Sequence, residues 1–524
     1  MATDVQIVAR RVASVNPATG EVLREFAAAS ESEVHAAVEG ARAAQHRWSQ
    51  IGIEDRIRAM RKFQQLLHAQ ATDVARVITS EAGKPVVEAL LTEVMVVLDA
   101  ARFCIENVYR FLRDQPLAHG NPAMKTKAGR IVREPYGVIG IISPWNYPFS
   151  IPSTETIAAL ATGNAVVLKP SELTSLSALK LASLMHEAGV PEDVFQVIVG
   201  DGGTGAALFD AKIDKLVFTG SVATGKRIAQ AAATRLLPVV LELGGKDPMI
   251  VLDDADIDVA SSGAIWGAFV NAGQTCLSVE RCYVHRRVYE KFLDACLRKT
   301  KKLRVGSGLD ENTDVGPLIN ERQLRIVEAQ VQDALSRGAR LMYGGSRLPE
   351  LGPNFYAPTV MADVTHDMKV MREETFGPVL PVMAFDNDDQ AIDLANDSEY
   401  GLGASVWTSN RRRGNAFARR IQAGIVMIND AVSCFGISEA PHGGVKASGV
   451  GRTHGRFGLD EMVRVKYVSD DRLPGLKKIW WYGYGDSLRP QMEGFLDVMF
   501  ARGWSRRLRG GLRSTGALTR KERI

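Results

Sequence analysis

Apolar positions follow two different periods along the chain, and the change between them predicts how the chain is organised. Up to about residue 115 they recur at helical spacing, near 54–80 and 85–113. Ser30 precedes Glu33 by three residues, a capping-box spacing that predicts the start of a helix. Residues 16–20 separate two short apolar runs and predict the turn of a hairpin. This part is therefore expected to be helical after a short extended start.

Past residue 133, short and continuous apolar runs alternate with helical segments. The predicted strands cover residues 138–142, 165–168, 194–199, 216–218 and 239–241, with helices near 173–188, 203–210 and 224–234. Strands without polar positions are typical of sheets covered on both faces. The repeated strand–helix–strand order predicts a mostly parallel, doubly wound sheet, and a second alternation over about 249–429 predicts a second one. The expected fold class is α/β, with two doubly wound domains and a small β arm.

Composition agrees with a folded protein of more than one domain. Of 524 residues, 46% are hydrophobic and 24% are charged, which excludes a disordered or fibrous chain. Five cysteines, an odd number, do not form a disulfide framework and indicate a reducing, cytoplasmic compartment. The first residues contain no apolar run of signal-peptide length.

Positive charge is concentrated at the C-terminus. Residues 502–524 contain eight Arg or Lys and one Glu, a net charge of +7, whereas the whole chain carries +4 and the remainder −3. A slightly negative body argues against a nucleic-acid-binding surface. Residues 479–484 are unusually aromatic, and an amphipathic helix is predicted from about Arg489 through Trp504 and Leu508 to a stop at residues 510–511.

Two groups of residues stand past the carboxyl ends of predicted strands, where open α/β sheets bind ligands. Gly220, Ser221 and Gly225 join a strand to a helix, whose N-terminus offers free N–H groups and a positive dipole to a phosphate. Lys169 can donate to ribose hydroxyls, and Glu172 can accept from a 2′-hydroxyl and repel a 2′-phosphate. Each group also has a structural explanation, a tight turn for the glycines and an early-helix acid for Glu172.

Three further positions suit carbonyl chemistry. Cys276 follows Gly-Gln-Thr in a small polar loop, whereas the other four cysteines are best explained as inert core residues. Glu242 ends an apolar strand, and a desolvated carboxylate has a raised pKa that suits a general base. Asn146 lies in a loop bracketed by prolines, where a fixed amide N–H can face a developing oxyanion. Glu374 and Phe376 stand in a Glu-Thr-Phe-Gly-Pro segment that says little alone.

Taken in order, these motifs resemble those of the NAD(P)-dependent, non-acylating aldehyde dehydrogenases. The resemblance covers about residues 16–468. Its most specific part is the combination of residues 241–246 with residues 273–276, which places Glu242 and Cys276 34 positions apart. Residues 441–449 also resemble the C-terminal motif of that family.

The resemblance implies a mechanism. Cys276 is the expected nucleophile, and the Asn146 amide with the Cys276 backbone N–H is expected to hold the oxyanion. A free thiol with a pKa of ~8.5 is only slightly ionised at neutral pH, so this thiol needs activation. Glu242 is expected to activate the water that hydrolyses the thioester, and relatives that use coenzyme A lack this residue. Thr453 stands where some relatives carry a second glutamate as an auxiliary base, which puts a relay through that position in question.

The resemblance also implies a cofactor site. The expected cofactor-binding residues are Trp145, Lys169, Glu172, Gly220, Ser221, Gly225, Glu374 and Phe376. Lys169 and Glu172 would hold the adenosine ribose, the glycine turn the pyrophosphate, and Glu374 the nicotinamide ribose with Phe376 near the ring. Glu172 favours NAD, and NADP stays open because a carboxylate here can swing aside. No metal ligand is expected.

The implied domain organisation divides the chain into four parts. Residues 1–120 and 136–244 form a Rossmann-like NAD-binding domain, and residues 245–445 form a catalytic domain. Residues 121–135 and 456–470 form an oligomerisation arm that predicts a homodimer or a homotetramer. Residues 471–524 are an aromatic and basic extension.

The sequence leaves more than one class of aldehyde substrate open. In relatives the loop after Asn146 lines the aldehyde pocket, and here it supplies Tyr147, Phe149, Ile151 and Thr154. Thr154 stands where succinate-semialdehyde relatives carry an Arg, so an apolar medium- or long-chain or aromatic aldehyde is favoured, and a small polar or amino aldehyde stays open.

The tail resembles the C-terminal helix of fatty-aldehyde dehydrogenases. Packing of this helix on the protein and peripheral contact of residues 479–524 with a membrane both stay open. An acyl-CoA-forming or semialdehyde-specific relative, and a non-enzymatic protein on the same fold, are the competing functions. The presence of Glu242 and Cys276 counts against both.

Overall fold

The computed structural model describes residues 10–475, 478, 480–486 and 488–515. Ile479 of the aromatic run and residues 516–524 of the basic tail lie outside the described residues, as do residues 1–9. The strands are Arg11–Val15 (β1), Val22–Ala27 (β2), Gln115–Leu117 (β3), Lys127–Pro135 (β4), Val138–Ile142 (β5), Ala165–Lys169 (β6), Phe195–Val197 (β7), Lys215–Thr219 (β8), Val239–Glu242 (β9), Asp247–Val251 (β10), Val279–His285 (β11), Arg340–Tyr343 (β12), Thr359–Ala362 (β13), Val379–Phe385 (β14), Gly403–Trp407 (β15), Ile425–Ile428 (β16), Gly449–Val450 (β17) and Val463–Asp471 (β18).

The helices alternate with the strands as the sequence predicts. They are Glu31–Gln50 (α1), Ile53–Ala69 (α2), Ala71–Ala82 (α3), Val86–Ala89 (α4), Met95–Leu112 (α5), Ser150–Ala161 (α6), Ser175–Glu187 (α7), Gly202–Asp210 (α8), Val222–Arg235 (α9), Ile257–Phe269 (α10), Tyr289–Thr300 (α11), Glu321–Ser336 (α12), Lys369–Arg372 (α13), Asp388–Asn396 (α14), Arg411–Arg420 (α15), Gly455–Asp460 (α16), Leu488–Phe500 (α17) and Trp504–Ser514 (α18).

The N-terminal predictions are confirmed in detail. Strands β1 and β2 pair antiparallel around the predicted turn. Ser30 caps α1 through a complete capping box: its side chain accepts from the Glu33 backbone N–H, and the Glu33 carboxylate accepts from the Ser30 backbone N–H at 2.8 Å. A π-helical turn, Leu90–Val94, joins α4 to α5 inside the predicted long helix.

The chain forms two compact units, and the first contains both large sheets. It comprises the chain up to Arg113 together with Arg133–Arg464. One sheet has the order β17-β9-β8-β5-β6-β7, parallel except for β17. The other has the order β12-β13-β14-β11-β10-β15-β16, parallel except for β12. Each sheet has its own buried apolar core, so the α/β fold class with two parallel sheets is confirmed. The domain boundaries and their assigned roles stay predictions.

The second unit contains Asp114–Val132 and the chain from Val465. It includes a small sheet in the order β18-β4-β3, formed where extended segments were expected. Its C-terminal part corrects the predicted single helix, because α17 ends at Phe500 and α18 begins at Trp504. Gly510 does not stop a helix but lies within α18. A Cβ atom on Gly510 would lie 2.5 Å from the Gly494 carbonyl, so the two glycines permit close packing of the helices.

No helix in the described part of the chain combines the length and the apolarity that crossing a bilayer requires.

Candidate active site

The predicted site residues lie where the carboxyl ends of the strands in the first sheet approach the amino ends of the strands in the second sheet. Strands β5, β6, β8 and β9 present their carboxyl ends, which is the edge where parallel sheets bind ligands. Only residues 243–246 separate the end of β9 from the start of β10. This short link brings the carboxyl edge of the first sheet to the amino edge of the second, where the segments that precede β11 and β14 carry Cys276 and Glu374.

Cys276 lies in a tightly built loop before β11. Gly273 has a φ of +74°, and a Cβ there would lie 2.1 Å from the Gly377 carbonyl oxygen, so the loop requires glycine at this position. The Gln274 side chain holds the loop in place, because its Oε1 accepts a hydrogen bond from the Ile319 backbone N–H at 2.8 Å. The Cys276 side chain is half-buried, whereas the other four cysteines are buried.

Asn146 is connected directly to this loop. Its side-chain Nδ2 donates to the Gln274 carbonyl at 3.0 Å, two residues before Cys276. The neighbouring Tyr147 hydroxyl lies 2.8 Å from Thr275 Oγ1. The amide predicted to stabilise an oxyanion is therefore held beside the predicted nucleophile.

A buried ion pair that no sequence pattern predicts supports the Asn146 loop. The ammonium of Lys84 donates to Glu93 Oε1 at 2.7 Å and to the Asn146 carbonyl at 2.8 Å. Glu93 Oε2 in turn accepts from the backbone N–H groups of Phe149 and Ser150, at 2.9 and 2.8 Å. Lys84 and Glu93 thus hold both ends of the loop. They stand on separate N-terminal segments without a recognisable motif, so only the tertiary structure identifies them.

Glu242, at the end of β9, is buried and has no hydrogen-bond partner on either carboxylate oxygen. Its Oε2 lies 3.8 Å from Nε2 of His442. Burial raises the pKa of Glu242 well above its ordinary value, and the nearby Glu155 carboxylate raises it further, while Arg452 opposes the shift. A raised pKa makes the ionised form of Glu242 a stronger base than an exposed carboxylate, which suits it to take a proton from water.

The thiol of Cys276 is also held in its protonated form. Burial raises its pKa well above that of a free cysteine, and the carboxylates of Asp247, Glu242 and Glu374 add to the rise. The predicted need for activation is therefore greater than the sequence suggested, because this loop supplies carboxylates rather than cations.

The residues predicted to bind the cofactor at the first sheet lie at the carboxyl ends of its strands. Lys169 ends β6, is buried, and its Nζ lies 3.4 Å from Glu172 Oε2. Burial lowers the pKa of Lys169, and Glu172 opposes that shift. Ser221 caps α9 by accepting from the Thr224 backbone N–H at 3.4 Å. A Cβ on Gly225 would lie 2.5 Å from the Leu243 side chain, so glycine permits α9 to approach the strand end closely.

Glu374 and Phe376 lie on the opposite side of the same edge. The Glu374 carboxylate accepts from the Gly245 backbone N–H at 3.1 Å, and burial followed by repulsion from Glu280 raises its pKa to about 8. Phe376 has a φ of +52° and packs edge-to-face on Trp145, with ring centroids 5.4 Å apart. These contacts bring together residues that are far apart in sequence.

A second buried ion pair holds the Glu374–Phe376 segment in its strained conformation. Lys246 Nζ donates to Glu280 Oε2 at 2.6 Å. The two carboxylate oxygens of Glu280 accept from the backbone N–H groups of Thr375 and Phe376, each at 2.8 Å. The positive φ of Phe376 is sustained by these bonds.

One predicted pocket residue lies elsewhere. Phe149 is fully buried in the core of the first sheet rather than lining a pocket. Its backbone N–H bonds to Glu93, which turns the side chain inward at the start of α6. Thr154 keeps a local role, since its hydroxyl donates to the Ile151 carbonyl at 2.9 Å.

The donor set fits a dinucleotide. The paired Lys169 and Glu172 offer one donor and one acceptor to a diol. Helix α9 begins at Val222, and the first N–H groups of a helix are free to bind a phosphate. Glu374 lies on the opposite side of this edge and offers a second carboxyl to sugar hydroxyls. Its pKa is raised to about 8. All these groups lie along one edge that includes Cys276.

A comparison with family models matches residues 5–468 to the model described as the aldehyde dehydrogenase family. Among curated proteins, the chain is 39% identical over 512 residues to 4,4'-diapolycopene aldehyde oxidase of Methylomonas sp, which covers 97% of this chain and 94% of that protein. It is 38% identical over 455 residues to mitochondrial succinate-semialdehyde dehydrogenase of Oryza sativa subsp. japonica, covering 86% of this chain and 85% of that protein.

Solved structures give the same result. The NAD+ complex of an aldehyde dehydrogenase from Bacillus cereus matches with a TM-score of 0.84 and 37% identity, over 88% of this chain and 93% of that chain. An NADP dependent enzyme of E. coli matches with a TM-score of 0.84 and 35% identity, over 88% of this chain and 95% of that chain.

Proposed function

The chain belongs to the aldehyde dehydrogenase family, and from that premise we propose that it oxidises an apolar medium- or long-chain or aromatic aldehyde to the carboxylic acid. As a member it is an NAD(P)-dependent oxidoreductase; the substrate class and the residue roles are our proposal. Two contacts at one site support these roles. The Asn146 side chain donates a hydrogen bond to the loop that carries Cys276, and Glu242 is close enough to the Cys276 thiol to raise its pKa.

In the proposed reaction the Cys276 thiol gives up its proton to water, its sulfur bonds to the aldehyde carbon, and the carbonyl electrons move to oxygen. The Asn146 amide and the Cys276 backbone N–H stabilise that oxyanion. Lys169, Glu172 and Glu374 would hold the cofactor, whose nicotinamide would supply the hydride acceptor needed to oxidise the cysteine adduct to a thioester. Glu242 then takes a proton from water, the water oxygen bonds to the thioester carbon, and the carbon–sulfur bond breaks to release the acid and Cys276.

The ribose-binding pair supports a preference for NAD. Glu172 lies beside Lys169, where it accepts hydrogen bonds from a free 2′-hydroxyl but repels a 2′-phosphate. The Glu172 side chain is 43% exposed, so it is free to turn away, and NADP is accepted as a second cofactor.

Two observations support an apolar substrate. Thr154 carries no charge to pair with a carboxylated aldehyde, and its hydroxyl is engaged with the Ile151 carbonyl. The match to 4,4'-diapolycopene aldehyde oxidase extends over 97% of this chain, whereas the match to the succinate-semialdehyde dehydrogenase extends over 86%. Diapolycopene is a hydrocarbon polyene, so its aldehyde is long and apolar.

The C-terminal helices support delivery of such a substrate from a membrane surface. Trp504, Leu508 and Leu512 stand four residues apart on one side of α18 and are 79%, 61% and 72% exposed. Arg506, Arg507, Arg509 and Arg513 flank this apolar stripe, and residues 502–515 contain no acidic residue. A basic helix with an exposed apolar face fits an anionic lipid surface. We propose that the protein contacts a membrane peripherally through this helix, in the reducing, cytoplasmic compartment that its five cysteines indicate.

Flotation with liposomes tests this contact. The intact protein is expected to float with anionic vesicles at low salt and to remain behind with neutral vesicles, and a protein that ends at Lys478 is expected to float with neither. Replacing Trp504 and Leu508 by Ser is the milder variant and should also abolish flotation. If the intact and truncated proteins float alike, or if neither floats, the membrane proposal is wrong.

The small sheet supports a homodimer or homotetramer. Strand β18 lies at one end of its sheet, and Val465 and Tyr467 on it are 65% and 50% exposed. A nine-residue strand with exposed apolar side chains and an open edge is normally covered. Light scattering at micromolar concentration should give at least twice the subunit mass, and a monomer would contradict the assignment.

The proposed activity is tested with a panel of aldehydes. NADH formation is followed for straight-chain, aromatic, amino and carboxylated aldehydes, with and without coenzyme A. We expect rates that rise with apolar chain length and do not depend on coenzyme A. Succinate semialdehyde as the best substrate, or a rate that requires coenzyme A, would overturn the substrate class or the hydrolytic step.

A further inference from the structure

Glu242 must lose the proton that it takes from water before the next turnover, yet its surroundings are closed. Neither carboxylate oxygen has a hydrogen-bond partner. Among the described residues, His442 approaches this carboxylate with its Nε2 atom, which lies 3.8 Å from Glu242 Oε2. Thr453 stands where some relatives carry a glutamate as an auxiliary base. Because threonine has no carboxylate, the proton needs another route.

His442 stands first in a buried pair of histidines. Its ring centroid lies 5.6 Å from that of His454, and both rings pack edge-on against Phe435, at 5.0 and 4.6 Å. The Nδ1 atom of His442 and the Nε2 atom of His454 are buried without a hydrogen-bond partner. The second nitrogen of His454, Nδ1, lies 3.1 Å from Thr453 Oγ1.

A small cavity continues from the second ring. His454, Thr453, Ser438 and Glu155 are among the residues that line it, and its volume is about 40 Å³. A cavity needs roughly 10–15 Å³ and polar partners to hold a water, so this one has room for at least one. One oxygen of Glu155 is itself buried without a partner, and a water there would satisfy it.

We propose that His442 and His454, with the water cavity beyond them, form the path by which the proton leaves Glu242 after each hydrolysis. This inference rests on the proposed role of Glu242. The proton leaves Glu242 Oε2 for His442 Nε2 while His442 Nδ1 releases its own hydrogen toward His454. His454 takes this hydrogen on Nε2 and gives up the one on Nδ1 to Thr453 Oγ1, whose own hydroxyl hydrogen passes to the water in the cavity. No electron pair is transferred and no co-reactant is needed.

The electrostatic surroundings keep both rings neutral, as such a path requires. Burial lowers the pKa of His442 to about 3, assisted by His454 and Arg452, and burial lowers the pKa of His454 to about 4. A neutral imidazole has one donor and one acceptor nitrogen and passes a proton by exchanging them. The charged or titratable groups around the pair are Glu242 on β9, Glu155 on α6, Arg452 after β17, Glu461 after α16, Cys104 on α5 and Cys434 in the turn Ser433–Gly436.

The test compares His442→Phe and His454→Phe with Phe435→Leu. The Phe435 variant disturbs packing against both rings without removing an exchangeable nitrogen. We expect both histidine variants to lower steady-state kcat at least ~10-fold, within the range of general acid–base effects. KM should fall with kcat, so that kcat/KM and the first-turnover NADH burst stay unchanged. Imidazole in the buffer should restore part of the rate of His442→Ala or His454→Ala, whose truncated side chains leave room for it, and should not affect Phe435→Leu.

Two outcomes would overturn the path: an unchanged kcat in both histidine variants, or an equal loss in Phe435→Leu with no rescue by imidazole. The role of Glu242 itself is tested separately, because Glu242→Gln removes hydrolysis whether or not the histidines carry the proton. A full steady-state rate in Glu242→Gln would refute the function. Loss in Glu242→Gln alone would refute only the path.

Discussion

The ammonium of Lys84 lies 2.7 Å from Glu93 Oε1, and both side chains are completely buried beneath the Asn146 loop. Desolvation of two charges is costly, and the pair is retained where its hydrogen bonds also fix a functional segment. Here the pair bonds to the Asn146 carbonyl and to the first backbone N–H groups of α6. The position of the proposed oxyanion donor therefore depends on an ion pair from distant segments.

Removing one partner of that pair should be costly for folding. In Glu93→Gln, Lys84 keeps a buried charge without its counter-ion, and the free energy of unfolding is expected to fall by ~3–5 kcal/mol. Urea denaturation measures the change. The matched control is Glu25→Gln, whose ion pair with Arg11 is exposed and should contribute under ~1 kcal/mol. Equal effects in the two variants would show that burial of the pair does not matter.

The nucleophile prediction separates chemistry from binding. Cys276→Ala should lower kcat at least ~1,000-fold, as loss of a nucleophile does elsewhere, while NAD affinity measured by calorimetry stays unchanged. Cys434→Ala is the control, because Cys434 is near enough to influence the pKa of Cys276 and is assigned no chemical role. Substantial turnover in Cys276→Ala would remove the proposed mechanism.

Cofactor preference should respond to a single charge. Glu172→Gln removes the repulsion of a 2′-phosphate, and we expect the ratio of kcat/KM for NADP to that for NAD to rise about 10-fold, a change of ~1.4 kcal/mol. Glu187→Gln makes the same charge change on exposed surface at the other end of α7 and should leave the ratio unaltered. No change in the Glu172 variant would mean that this carboxylate does not face the ribose.

Stability should fall as the pH rises from 4.5 to about 8, partly because of Glu155. Burial raises the pKa of this carboxyl to about 8 from an ordinary value of 4.5, so the folded state holds a proton that the unfolded state releases. The stabilisation is present below pH 4.5 and is lost as the pH rises toward 8. Glu155→Gln should therefore lose less stability than the wild type between pH 5 and 8 in denaturant titrations. Parallel losses in the two proteins would place the titration elsewhere.

Local rules predicted the elements whose patterns are local. The capping box at Ser30 and the buried strands at 138–142 and 216–218 follow from spacing and apolarity alone, and the structure confirms them. The tail helix was wrongly predicted because Gly510 looked like a stop signal. Gly510 instead permits close packing against Gly494 of the preceding helix, and sequence spacing does not indicate that contact.

The site divides in the same way. Cys276, Glu242 and Asn146 stand in recognisable segments, and their convergence follows from which strand ends share an edge. Lys84 and Glu280 act through contacts with residues on other elements, and neither periodicity nor motif indicated them. His442 lies in the motif at residues 441–449, but its approach to Glu242 does not follow from that motif. Phe149 was misplaced because the inward turn at α6 depends on Glu93.

The central claim is that Glu242 hydrolyses an acyl intermediate carried by Cys276. The most direct measurement mixes Glu242→Gln with NAD and an apolar aldehyde in a stopped-flow instrument and then determines the mass of the intact protein. The account predicts a burst of one NADH per active site, almost no steady-state rate, and a mass increase that equals the acyl group and disappears in the Cys276→Ala double variant. Steady turnover without a burst, or a burst without an acyl adduct, would contradict it.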